Sequence, residues 1–547
     1  MTARRLLAIS LLVSILFSAC ASAAPTGAPP RYNPPPSGGQ APAATAPAKL
    51  PEQPPYNAPS PLGDQSRASA EAQSSGAHPT WPPPPPWPPY PTPTWPEPPR
   101  RDVEVGPFVD TREDHLSTFA MDVDTASYTK MRDYINAGQL PPTDLVRVEE
   151  FVNFFNMEYP DPESGAFSIN LEGAPSPFGG EGTYLLKVGI QGRHIASWER
   201  KDALLTFVVD VSGSMADENR IEMVKYGLNR LVDRLGPNDR VAIVAFSEEA
   251  WVILEPTSVE NRHRILDAIN GLYPMNSTNT EAGLRLGYEL AWRNYRDGAI
   301  NRVILCSDGV ANVGNTDPNA LATYAQDYYG RNIFLSTVGV GHGNYNDVLL
   351  EQLADKGNGV YAFLDSEQAA ERIFSQDLEG TLQTIAKDAK IQVDFNPYAV
   401  RGYRLLGYEN RAVADQDFRN DTVDAGEVGA GHSVTALYEV QMQPDGGGDV
   451  VVVRVRYEDP DTRAVAEISR ALGRDEMQRD FSRTSPRFQL AVAVAQFAEV
   501  LRGSAWARGE RMGRVLEVAR NAQWQLPFDA DVAEFVGLVE RASWMMD

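Results

Sequence analysis

Between Leu204 and Leu364 short apolar runs and helical stripes take turns along the chain. The runs read LLTFVVD, RVAIVAFS, AWVIL, RVILCSD, NIFLSTVGV and GVYAFLD. Between them apolar residues recur at helical spacing around 221–235, near Ile265, and around 284–292, 321–329 and 348–353. Ile221, Val224, Leu228, Leu231, Val232 and Leu235 fall on one face, the stripe a helix needs to lie on a sheet. Strands alternating with helices predict an α/β domain, a doubly wound and mostly parallel sheet with helices on both faces. The AFS and AWVIL runs, close together, predict an antiparallel edge.

On either side the period changes. Before the alternating region, ASYTKMRDYINAG and VRVEEFVNFF have helical spacing, with Gly138 and Pro141-Pro142 as the stop between them. Segments 167–171 and 184–190 alternate apolar and polar residues, as half-buried strands do. MDVDTASY holds Asp122 and Asp124 but lacks the Gly and terminal Glu of an EF-hand loop, so Asp124 or Thr125 is expected to cap the following helix. After the region a helix is expected through about Lys387, and then short strands in AKIQVDF, YRLLGYE, HSVTALYEVQM and DVVVVRVRYEDP. Helical segments close the chain at 487–502, 511–522 and 532–544, and the apolar stretch 488–501 reads as a buried helix. Strand signals on both sides predict that the α/β domain is inserted between flanking α+β regions that join as a β-sandwich, followed by a C-terminal helical segment.

The first twenty residues differ again. Arg4 and Arg5 precede an apolar run from Leu6 to Phe17 and the small-residue exit SAC, a secretory signal too short to span a bilayer. Cys20 sits where a lipoprotein cysteine would be acylated; the alternative is cleavage near ASA at 21–23 and a secreted protein. From Ala24 to about Arg101 stretches such as WPPPPPWPPYPTPTWPEPP build no core and predict a disordered, semi-rigid tether with polyproline II character. The expected division is therefore 1–20 signal peptide, 21–105 tether, 106–200 N-terminal flank, 201–380 α/β domain, 381–465 β-rich flank and 466–547 helical region. With 49 Lys and Arg against 73 Asp and Glu, the net charge of −24 argues against nucleic-acid or anionic-membrane binding and favours a divalent cation as companion. Of the two cysteines, Cys20 and Cys306, the second lies inside VILCSD and reads as a packed strand residue, so no disulfide is expected.

Candidate chemistry gathers at the ends of the apolar runs. VVDVSGSM delivers Asp210, with Ser212 and Ser214 at alternate positions in a tight loop; NSTNTEAGL places Thr278 where a helix opens; RVILCSDGV ends at Asp308. In an open α/β sheet the C-terminal ends of neighbouring strands share one crevice, so three such loops can meet around one ion. All five donors are oxygen, which suits Mg²⁺ or Mn²⁺ ahead of Ca²⁺ and disfavours zinc or copper. If the hydroxyls of Ser212, Ser214 and Thr278 bind directly while Asp210 and Asp308 act mainly through water, the ion keeps much of its charge, and a carboxylate from a protein partner can complete its shell.

These motifs resemble the von Willebrand factor A domain with its metal-ion-dependent adhesion site, over roughly 201–374. STFAMDVDTASY, GQLPPTDLVRVEEFVNFF, YRLLGYENR and NDTVDAGEVGAGHSVTALYEV resemble the YfbK-like bacterial lipoprotein family. Asn276 and Ser277 stand where many A domains have two glycines, and Ser307 replaces a common Thr; neither change removes a ligand. The resemblance implies a non-enzymatic, extracytoplasmic protein, membrane-bound by a lipid anchor only, that binds a protein partner through the ion. The alternative is a cell-envelope scaffold in which the ion only stabilises the fold. No catalytic residues are expected: there is no HExxH, CxxC or P-loop, GVGHGN departs from GxGxxG at its last position and reads as a turn, and a hydroxyl-dominated site makes a poor hydroxide nucleophile.

Overall fold

The computed structural model describes residues 105–121, 124–196, 198–275, 277–309, 317–341, 347–374, 382–409, 412–421, 423, 425–509 and 511–546. The signal-like N-terminus with Cys20, the proline-rich tether up to 104, Asp122, Asn276 and the His342–Asn344 end of the turn motif lie outside them. In chain order the first flank contributes β1 (Val109–Asp110), β2 (Leu116–Ala120), α1 (Ala126–Asn136), α2 (Val148–Asn153), β3 (Phe167–Pro175) and β4 (Thr183–Gly192). The central domain runs β5 (Ala203–Asp210), α3 (Arg220–Arg234), β6 (Arg240–Phe246), β7 (Ala250–Ser258), α4 (Arg262–Asn270), α5 (Thr280–Arg293), β8 (Ile300–Ser307), α6 (Pro318–Tyr329), β9 (Phe334–Val340), α7 (Asp347–Lys356), β10 (Tyr361–Leu364) and α8 (Glu367–Arg372). The second flank supplies β11 (Thr384–Phe395), β12 (Val400–Leu405), β13 (Glu427–Gly429), β14 (Ser433–Met442), β15 (Asp449–Glu458), β16 (Val465–Gly473), α9 (Pro486–Leu501), α10 (Met512–Gln525) and α11 (Ala530–Met546).

The central sheet has the order β10-β9-β8-β5-β6-β7, parallel throughout except for the antiparallel edge β7. All eight residues of β5 and of β8 are buried, as they must be in central strands covered by helices on both faces. Val209, Ile243, Ile304 and Val338 meet α3 and α4 on one face, while Val208, Val244 and Val303 meet α5 and α6 on the other. The predicted stripe of α3 does this packing through Ile221, Val224, Leu228, Leu231 and Val232.

The flanks interleave across this insertion. One sheet, β1-β12-β14-β4-β3, pairs Val440 of β14 with Tyr184 of β4, and the other pairs β11 with β2, β13 and β15, with β16 at its edge. Their inner faces share a core that includes Phe119, Leu186, Ile190, Ile391, Val393, Tyr438 and Val453. A third core joins α1 and α2 to α9, α10 and α11. The helix α9 is buried nearly all round. Its start is well capped, because the Ser485 hydroxyl accepts the Phe488 N–H at 3.2 Å and Pro486 opens the first turn.

Two sequence expectations give way. The helix expected through Lys387 is absent there, because Thr384–Lys387 already belongs to β11. A register shift between Lys387 and Lys390, with Asp388 at φ +49°, breaks the two-residue period and hides the strand from a pattern reading. At the start of α1, Thr125 occupies the N-cap position without the expected side-chain cap bond, and Glu150 of α2 accepts the Ser127 N–H at 2.8 Å.

The central domain is tied to the helical layer by charge. Arg132 of α1 pairs with Asp365 at 2.7 Å, and Arg147 reaches Glu351 of α7 at 2.7 Å. The Arg372 guanidinium lies 3.8 Å from the centre of the Phe154 ring, within reach of the attraction between a cation and a ring face.

Candidate metal centre

Asp210 is the last residue of a strand with no exposed surface, and it inherits that burial. Burying a carboxylate is costly unless donors surround it. Two are at hand: the Ser212 N–H donates to Oδ1 at 2.8 Å, and Ser307 at the end of β8 donates its hydroxyl to Oδ2 at 2.6 Å. The parallel register, which sets Val209 opposite Cys306, brings the Asp210 and Ser307 strand ends side by side. Even so, burial pushes the Asp210 carboxyl up to about 7, and the nearby Asp308 charge adds to the rise.

The chain leaves β5 in a turn that places Ser212 Oγ 3.1 Å from Ser214 Oγ. It then passes through Glu218 at φ +51° and Asn219 at φ +58° before α3 begins. Two successive left-handed residues without a glycine cost on the order of 1–2 kcal/mol each. Their effect is to bring Arg220 back toward the loop it has just left. Its Nη1 donates to Asp308 Oδ2 and to the Ser214 carbonyl, both at 3.2 Å. Gly341, at φ +101°, makes room for it, since a Cβ there would collide with Arg220 Nε.

The third loop is held by its backbone. The Met275 N–H donates to the Val211 carbonyl at 2.5 Å, the Asn279 N–H to the Ser247 carbonyl at 2.7 Å, and the Ser247 hydroxyl to the Ser277 carbonyl at 2.8 Å. Asn279 then caps α5 by accepting the Ala282 N–H at 3.1 Å. Thr278, between these anchors, is buried.

Asp210, Ser212, Ser214 and Asp308 thus share one hydrogen-bonded neighbourhood with Ser307 and Arg220, and the Thr278 loop is fastened to the ends of both β5 and β6. The donor set fits a hard divalent cation: two carboxylates and three hydroxyls, with a buried carboxylate that burial discourages from ionising unless positive charge is near. Among the described residues no group of three or more His, Cys, Asp or Glu side chains is arranged to hold a metal. Sequence reasoning did not foresee the parts played by Ser307 and Arg220. A serine directly before Asp308 was a usable signal for the first; only the fold brings Arg220 to Asp308. Cys306 is buried in the sheet core, where desolvation pushes its thiol up to about 12, as suits a packing residue.

Three family models match the chain. Residues 100–187 match one described as von Willebrand factor, 205–376 match the von Willebrand factor type A domain, and 380–545 match the C-terminal region of the uncharacterized protein YfbK. The YfbK protein of Escherichia coli (strain K12) is 33% identical over 472 residues, covering 82% of this chain and 81% of that one. Inter-alpha-trypsin inhibitor heavy chain H4 of Homo sapiens is 27% identical over 191 residues, 33% of this chain and 20% of that protein. A solved von Willebrand factor type A structure from Catenulispora acidiphila aligns at a TM-score of 0.41 and 17% identity, over 68% of this chain and 89% of its own.

Proposed function

Since the chain belongs to the YfbK family and carries a von Willebrand factor type A domain at its centre, we propose that it is a non-enzymatic, extracytoplasmic protein that captures a protein partner through a divalent cation. Domains of this type typically mediate protein–protein contacts. In this reading Asp210, Ser212, Ser214, Thr278 and Asp308 hold Mg²⁺ or Mn²⁺, and the partner offers a carboxylate to the ion. The observation that carries the reading is the buried Asp210 carboxylate, oriented by Ser212 and Ser307 toward a neighbourhood of hydroxyls. The exposed side chains of Tyr273 and Met275, on the same loop as Thr278, offer a partner apolar surface beside the ion. Acylation at Cys20 would tether the protein to a membrane, with the proline-rich stretch as spacer. Among the described residues no helix is long and apolar enough to cross one.

Calorimetry with Mg²⁺ and Mn²⁺ tests the site. Asp210→Ala should lose ion binding while circular dichroism shows the fold retained; equal binding by the variant would remove the site.

The ion pairs that fix the central domain to the helices favour a second reading, an envelope scaffold in which the ion only ties three loops together.

A further inference from the structure

Three ionisable side chains meet at the site, and they come from three different elements: Asp210 from β5, Asp308 from beyond β8, and Arg220 from the start of α3. Arg220 is the one for which neither the loop motif nor the donor set calls. Its placement is nevertheless highly determined. Glu218 and Asn219 turn the chain through two left-handed residues to deliver it, Gly341 leaves space only a glycine can leave, and its Nη1 sits 3.2 Å from both Asp308 Oδ2 and the Ser214 carbonyl. The side chain is largely buried, whereas Glu218, its other carboxylate neighbour at 3.4 Å, is half exposed and screened by solvent.

We propose that Arg220 sets the charge of the site, weakening its hold on the cation in order to make the bound cation attractive to an anionic partner group. The proposal rests on the reading that the site takes a divalent cation. Two buried carboxylates and a divalent ion are together neutral, and a centre without net charge draws a carboxylate more weakly than a positive one. With Arg220 the same centre carries one positive charge. Arg220 also engages Asp308 Oδ2 itself, so that oxygen would have less charge to offer an ion held by the five candidate residues. Both effects act in one direction on the ion and in the opposite direction on the anion. A merely structural role would lower both affinities together.

The test uses the full chain, Mn²⁺ followed by its electron paramagnetic signal, and acetate as the carboxylate probe at constant ionic strength. Binding linkage is reciprocal, so an anion that joins the ion in the site tightens apparent Mn²⁺ binding. In wild type acetate should do so. Arg220→Gln and Arg220→Met remove the charge while keeping a stem beside Gly341; either should bind Mn²⁺ on the order of tenfold more tightly, since a like charge near the ion is gone, and should lose the acetate effect. Arg220→Lys, which keeps the charge, should retain it. The proposal is overturned if the neutral variants bind Mn²⁺ more weakly than wild type, if they keep the full acetate effect, or if both fail to fold, which would make Arg220 a structural residue. Absence of Mn²⁺ binding by wild type would instead sink the cation reading, and the proposal with it.

Discussion

Replacing Ser307 by Ala deletes a single hydroxyl at a fully buried position and leaves the β8 backbone pairing in place. The lost oxygen has two jobs: it donates to Asp210 Oδ2 at 2.6 Å and accepts the Gly309 N–H at 3.1 Å. A hydrogen bond to a charged group is worth about 1.5–3 kcal/mol net. Removing a residue that orients a metal ligand typically costs roughly 10–100-fold in affinity, which is about 1.4–2.8 kcal/mol. The two routes agree on about 2 kcal/mol, or roughly 30-fold weaker binding. Titration calorimetry with Mg²⁺ and Mn²⁺ reads this directly, and Ser307→Thr supplies the control, because it restores the donor and should restore most of the affinity. Ion binding by Ser307→Ala at wild-type strength would show that Asp210 needs no orientation from β8. Equal losses in the Ala and Thr variants would show that the hydroxyl is not the cause.

Thr278→Val keeps volume and deletes the third-loop hydroxyl; it should abolish ion-dependent partner capture with little change in melting temperature in chelator, whereas capture that persists would favour the scaffold reading. Cys20→Ser should release the protein from membranes in fractionation, and unchanged sedimentation with the membrane would remove the lipid anchor. Glu149 of α2 is buried beside Glu150 and Glu409, and desolvation with these neighbouring charges raises its carboxyl to about 7. The unfolded carboxyl ionises near 4.5, so the folded chain holds the extra proton and stability should fall as pH rises from there to 7. Glu149→Gln should therefore be more stable than wild type above pH 7, by at most about 3 kcal/mol, and show no gain at pH 4 in denaturant titrations; a gap independent of pH would contradict this origin.

The central sheet was legible because its strands are buried on both faces and its helices carry one apolar stripe each, the two patterns that survive in a single sequence. The insertion was legible because strand signals flank it. The pairing of β2 with β11, at Ile391 opposite Phe119, was not, since partners more than two hundred residues apart leave no local trace. A bulge hid the start of β11, and the strand β16 was missed because its pattern is blurred: Ser469 and Arg470 are both exposed, and only its last two residues are buried. At the site, the ligand candidates were readable from the DxSxS spacing and the strand ends. Ser307 left only its place before Asp308 as a signal, and Arg220 left none, because its role comes from a left-handed turn that no residue type announces.

The most direct measurement is a pull-down from native membranes with wild type and Asp210→Ala, each in Mg²⁺ and in chelator, with the proteins recovered identified by mass spectrometry. Ion-dependent capture requires that a partner be recovered by wild type in Mg²⁺ and lost in the other three arms. Recovery of the same partner in chelator and by Asp210→Ala would contradict it.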